Sequence, residues 1–140
     1  MASIRELNKW ANANTCLSID ILRIVLGAFL FFKGVSFIVD KKYLHEILNS
    51  VGSFGSEMIV IHYVAMAHMA GGVMIIIGFL TRWSIWVQLP ILLGAFLINF
   101  VGVFNPNDFI QSLLAFAASV FFIFFGSGKH SADYYLKMEE

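Results

Sequence analysis

The sequence predicts an all-α protein built as a bundle of four transmembrane helices. Three observations carry that expectation. Of the 140 residues, 59% are hydrophobic and 13% charged, and the mean hydropathy is +0.82. A soluble domain has roughly 25% charged residues, and a chain of this size cannot hide so much apolar surface inside one core. Four apolar segments also have the length of about 20 residues that a bilayer demands. Turn signals separate them.

The elements follow in order. Before the first span, Ser3-Ile-Arg-Glu6 has the form of a capping box, and Ile4, Leu7 and Ala11 recur at helical spacing. That pattern predicts a short helix lying on the membrane surface. Leu17–Val39 is the first span; it is too long for the apolar part of a cleaved leader and is expected to be retained. Tyr43, Leu44, Ile47, Leu48 and Val51 again repeat at helical spacing, so a second interfacial helix is expected in the first loop, ending at Gly52-Ser-Phe-Gly55. The remaining spans are Met58–Leu80, Trp83–Val103 and Phe109–Gly126. Thr81 and Arg82 join the second to the third. Asn105-Pro-Asn-Asp108 is a turn cluster, in which Asn107 and Asp108 could cap the last span. Residues 1–140 therefore read as a single membrane domain.

Four spans put both termini on one side. That side carries Arg5, Lys9, Arg82, Lys129 and Lys137, the other only Lys41 and Lys42. The bias places the termini in the cytoplasm. The remaining composition excludes several functions. Net charge is zero with a pI near 6.9, so no basic face invites nucleic acid. Cys16 is the only cysteine, which excludes a dithiol redox pair and makes a structural metal centre an unlikely expectation; no metal site is predicted.

Ionisable residues inside the hydrocarbon are candidate functional groups. They are Asp20, Arg23, Lys33, His62 and His68, with the neutral amides Gln88, Asn99 and Gln111. Counting along each helix puts Asp20, Arg23 and Gln88 near the cytoplasmic end, Lys33, His62, Asn99 and Gln111 near the other, and His68 between the two layers. Asp20, Arg23, Gly27 and Gly34 share a stripe of the first span, predicted to face inward with Asp20 and Arg23 as an intrahelical ion pair. On the second span Ala65, His68, Gly71, Gly72 and Ile75 share a face. Asp20, Arg23, Lys33, His68, Gln88 and Asn99 thus form the candidate polar pocket. Gly27, Gly34, Gly71, Gly72 and Gly78 are the candidate helix-packing positions. Each polar residue also has a plainer reading: Lys33 could reach the membrane surface, and the ion pair could only fix helix register. The two membrane histidines lie on one helix and point apart, which speaks against bis-histidine haem.

Several stretches carry a resemblance. Arg23-Ile-Val-Leu-Gly27 with Lys33-Gly34, the run Gly71-Gly72 to Gly78-Phe-Leu-Thr-Arg82, and Gly126-Ser-Gly128 with Ser131-Ala-Asp133 resemble the DoxX family. The resemblance spans essentially the whole chain. One departure is that many members carry an acidic residue where this chain has His68. The resemblance implies a four-helix protein of the bacterial inner membrane. Some relatives are small subunits of thiosulfate:quinone oxidoreductase, and others associate with membrane redox complexes.

The expectation for function is a membrane subunit or anchor of a quinone-linked redox system, with a membrane or peripheral protein partner. His68 and Arg23 would be the donors to a quinone. No residue set holds an electron-transfer centre, so the chain would not be a complete oxidoreductase. Two readings from other classes stay open: a non-enzymatic scaffold of a larger complex, and a bundle that binds or passes a small solute, the last requiring a homo-oligomer.

Overall fold

The structure is a computed structural model that describes residues 4–40, 42, 45–46, 49, 57–101 and 104–136. Ser3 of the capping box, Lys41, Lys137 and the five apolar residues that predict the first-loop helix, Tyr43, Leu44, Ile47, Leu48 and Val51, lie outside the described residues. Helices α1 (Ile4–Ala13), α2 (Leu17–Val39), α3 (Glu57–Ile77), α4 (Thr81–Val101), α5 (Pro106–Phe125) and α6 (Ala132–Tyr135) follow in chain order. α2 to α5 are each long and apolar enough to cross a membrane. Their outward faces carry large apolar side chains such as Phe32, Ile59, Trp83 and Phe124, all exposed. That is the surface a lipid solvent accepts and water does not.

α2 and α3 form the closest pair, and glycines set their approach. A Cβ on Gly27 would stand 2.7 Å from the carbonyl oxygen of Gly72, and one on Gly72 would stand 2.6 Å from that of Gly27. Gly34 meets the Ala65 carbonyl oxygen and the Met69 nitrogen in the same way, at 2.8 and 2.9 Å. The neighbour in each case is backbone and cannot swing aside, so only glycine fits. Backbones that pack this closely gain dispersion contacts that a membrane does not otherwise supply.

Inside the bundle, Leu26, Leu30, Ile75, Ile85, Leu92, Ala115 and Phe122 form one apolar core, none more than 4% exposed. At the end away from the termini, Phe96, Phe100, Phe104 and Phe109 pack ring on ring between α4 and α5.

Two element boundaries differ from the sequence expectation. α3 stops at Ile77, three residues early, and Thr81 and Arg82 are the first residues of α4 rather than the joint. The turn is Gly78-Phe-Leu80, where Gly78 has φ +73° and Leu80 φ +45°. Glycine enters that region freely, whereas leucine does so only under constraint from its surroundings. At the other hairpin Asn105, not Asn107 or Asp108, caps the helix. Its side chain accepts from the Asn107 N–H at 3.1 Å, and Pro106 takes the first helical position, where no donor is needed.

Candidate functional site

The six residues of the predicted pocket separate into three places. Asp20 and Arg23 sit at the termini end, buried at 6% and 3% exposure. Their side chains are 3.9 Å apart. The Arg23 guanidinium also donates to the carbonyl oxygens of Ser127 and His130, the latter at 3.0 Å. Asp20 meets the His130 Nδ1 at 2.7 Å. The segment after α5 is thereby drawn back across the bundle end. Gly126 (φ +78°) ends α5 and lets the chain turn there.

That segment is fixed at further points. Asp133 is 1% exposed, and its carboxylate accepts from the backbone N–H groups of Leu80 at 2.6 Å and Thr81 at 3.0 Å. A residue more than fifty positions downstream therefore caps α4, placing a negative charge at the positive end of the helix. In return the Asp133 N–H donates to the Gly78 carbonyl at 2.9 Å. Ser131 caps α6 and donates to the Gly128 carbonyl at 2.7 Å. Arg82 donates to the Asn8 side chain and, at 3.4 Å, to the Phe124 carbonyl, which ties α1 to the same end. This clasp uses its charged groups on one another, on backbone and on the Asn8 side chain.

Gln88 stands apart. It is fully buried, and its amide nitrogen donates to the Ala67 carbonyl on α3. It lies against Gly71, whose missing Cβ makes the room.

Lys33, His68 and Asn99 do come together. They line a partly open cavity of about 90 Å³ between all four spans, with Phe29, Phe37, Leu92, Ala95, Asp108, Gln111 and Ser112 completing its wall. The register of α2 on α3, Gly27 facing Gly72 and Gly34 facing Ala65, brings His68 level with Lys33. Lys33 Nζ lies 3.8 Å from Asp108 Oδ1, and both side chains are about a quarter exposed, at 29% and 25%. The same ammonium sits 6.0 Å from the Phe29 ring centroid. Asn99 donates to the Ala95 carbonyl at 3.0 Å and Ser112 to that of Phe109 at 3.0 Å. His68 is 4% exposed, packs on the Phe37 ring at 5.8 Å, and its Nδ1 has no hydrogen-bond partner among the described residues.

Arg23 and His68 therefore serve different sites. The Arg23 guanidinium lies beside Gly78, where an added Cβ would stand 2.9 Å from it. Lys33, level with His68, is three turns along α2 from Arg23, about 15 Å at 1.5 Å per residue. Sequence reasoning read Asp108 only as a cap, so its part in the cavity was missed. The available signal was its spacing from Gln111 and Ser112, which puts all three on one helical face.

The chemistry available in the cavity is a cation–anion pair, two primary amides, a hydroxyl and an imidazole, on apolar walls. It can hold a small polar group by several hydrogen bonds at once. Among the described residues no group of three or more His, Cys, Asp or Glu side chains is arranged to hold a metal ion. Compared with known proteins, the chain matches the family model DoxX over residues 18–101, more than half its length. No curated protein and no solved structure matches it.

Proposed function

Starting from the fact that this chain belongs to the DoxX family of multi-pass membrane proteins, we propose that it is a membrane subunit of a quinone-linked redox system in a bacterial inner membrane. It anchors a redox partner and receives the polar edge of a quinone in the cavity at His68. The observation that carries the reading is that cavity, with an imidazole whose Nδ1 has no partner among the described residues, a lysine and two amides on apolar walls. A quinone carbonyl is an acceptor on a flat apolar ring, and this lining offers donors beside aromatic surface. At about 90 Å³ the cavity is smaller than the roughly 150 Å³ that encloses a benzene ring, so a carbonyl edge enters and the ring stays at the mouth. The donors are Lys33 and His68; Arg23 is engaged by the clasp. The electrons come from the partner, since the chain has one thiol, Cys16, which is exposed and unbridged.

The test is purification of the tagged protein in mild detergent from its native membrane, with mass spectrometry of proteins and extraction of quinones. A stoichiometric redox partner together with bound quinone that is lost in His68→Leu supports the reading. Recovery without either overturns it.

One observation favours a second reading, the non-enzymatic scaffold. Asp20, Arg23, Arg82, Gln88 and Asp133 all bond within the chain. A scaffold would tolerate His68→Leu and lose its partner on bulky substitution at Gly27 or Gly72.

A further inference from the structure

The cavity has a rim, a wall and a floor of different chemistry. Lys33, on the last third of α2, and Asp108, in the first turn of α5, stand at the rim, each about a quarter exposed. Asn99 and Gln111 follow on the wall. His68 lies deepest, 4% exposed, with its Nδ1 unmet by any described residue. A site holds water when it offers more than about 10–15 Å³ and at least two polar partners, and about 90 Å³ with this lining exceeds both conditions. A buried imidazole nitrogen without a partner is otherwise unfavourable, and one water relieves it.

What lies beyond the floor decides the rest. Leu26, Leu30, Ile75, Ile85 and Phe122 form a plug in which no residue is more than 4% exposed. Past the plug, the clasp of Arg23, Asp20 and Asp133 closes the termini end. Other buried polar atoms, among them Thr81 Oγ1, Gln88 Oε1 and Ser119 Oγ, also have no hydrogen-bond partner among the described residues, but none of these residues lines the cavity.

We propose that the cavity is a water-filled, dead-end vestibule that admits water and small polar solutes from the face opposite the termini as far as His68. It is a binding recess with one-sided access and not a channel. The paired ammonium and carboxylate at its rim carry no net charge, so the entrance favours neutral dipolar solutes over ions of either sign. This gives the site proposed above an aqueous side, and it stands or falls separately from quinone binding.

The experiment uses water itself as the probe: hydroxyl-radical footprinting by X-ray radiolysis of the full-length protein in nanodiscs. His68 should be modified roughly tenfold or more faster than Phe122, which is fully buried in the plug. In a Cys16→Ser background, Asp108→Cys, or Gln111→Cys if the first disturbs folding, is then labelled with a bulky maleimide to stopper the rim. The His68 rate should fall to the Phe122 level. The same label on Thr15→Cys, at the termini end, should leave it unchanged. A His68 rate equal to that of Phe122 in the unlabelled protein overturns the proposal, as does a rate insensitive to the stopper or lowered by the Thr15 label.

Discussion

Replacing Asp133 by alanine isolates the joint between the chain's last described segment and the α3–α4 turn. The carboxylate is 1% exposed and accepts from two backbone N–H groups, at 2.6 and 3.0 Å. A hydrogen bond to a charged group contributes about 1.5–3 kcal/mol, so the pair contributes roughly 3–5 kcal/mol once overlap with the capping effect is allowed for. Alanine removes both acceptors and leaves the Leu80 and Thr81 amides facing a buried space. The turn is already held at an unfavourable Leu80 φ of +45°, so nothing local replaces the lost contact. A factor of ten per 1.4 kcal/mol gives an increase of about 10² to 4 × 10³ in the opening equilibrium. Hydrogen exchange read on a peptide spanning Leu80 and Thr81, in detergent or nanodiscs, measures that quantity. Asp133→Asn keeps one acceptor oxygen without charge and should fall between, exchanging roughly tenfold more slowly than the alanine variant. Wild-type and Asp133→Ala amides exchanging at equal rates would refute the claim that Asp133 holds this turn.

Other outcomes follow from the same contacts. Gly72→Ala forces a Cβ to 2.6 Å from the Gly27 carbonyl, so α2 and α3 must part at a loss of about 1–3 kcal/mol, seen as a lower melting temperature in detergent. Gly94→Ala is the matched control: nothing lies within 4 Å of its Cβ, and helix propensity alone should stabilise by up to about 1 kcal/mol. Arg23→Lys keeps the charge but cannot fork onto both the Ser127 and His130 carbonyls; we expect a loss of about 1–3 kcal/mol and faster tryptic cleavage after Lys129.

What could be read from the sequence divides by the range of the interaction. Span existence depends on composition over about 20 neighbouring residues, and the four apolar helices were legible for that reason. The inward stripe was legible too, because phase is also local: Asp20, Arg23, Gly27 and Gly34 are all buried. Depth was not. Counting from span ends put Gln88 level with Arg23, whereas Gln88 bonds to Ala67, well along α3 from the Gly78 that Arg23 adjoins. An error of a few residues in where a helix begins shifts its register against every neighbour. It is the close fit of α2 on α3 that settles which residues share a layer. The clasp was illegible for another reason. It joins residues over a hundred positions apart. Ser131-Ala-Asp133 was visible as a motif, but no local pattern says that its carboxylate caps a different helix. The Gly78 turn shows the same limit. The sequence put the joint at Thr81 and Arg82, because the residue that makes Thr81 the start of a helix lies at position 133.

The clasp has a bearing on the order in which the protein is made. Asp20 and Arg23 leave the ribosome over a hundred residues before their partners at Ser127 and His130. Over that interval the nascent chain carries a charged pair whose companions do not yet exist. A product broken off before residue 127 keeps that exposed pair permanently, together with an uncapped α4. Charged groups without partners in a bilayer are poorly retained, and polypeptides caught partly assembled are what cellular proteolysis removes. The contact that closes the bundle thus forms only in a chain translated past His130, and shorter products are expected to be degraded faster.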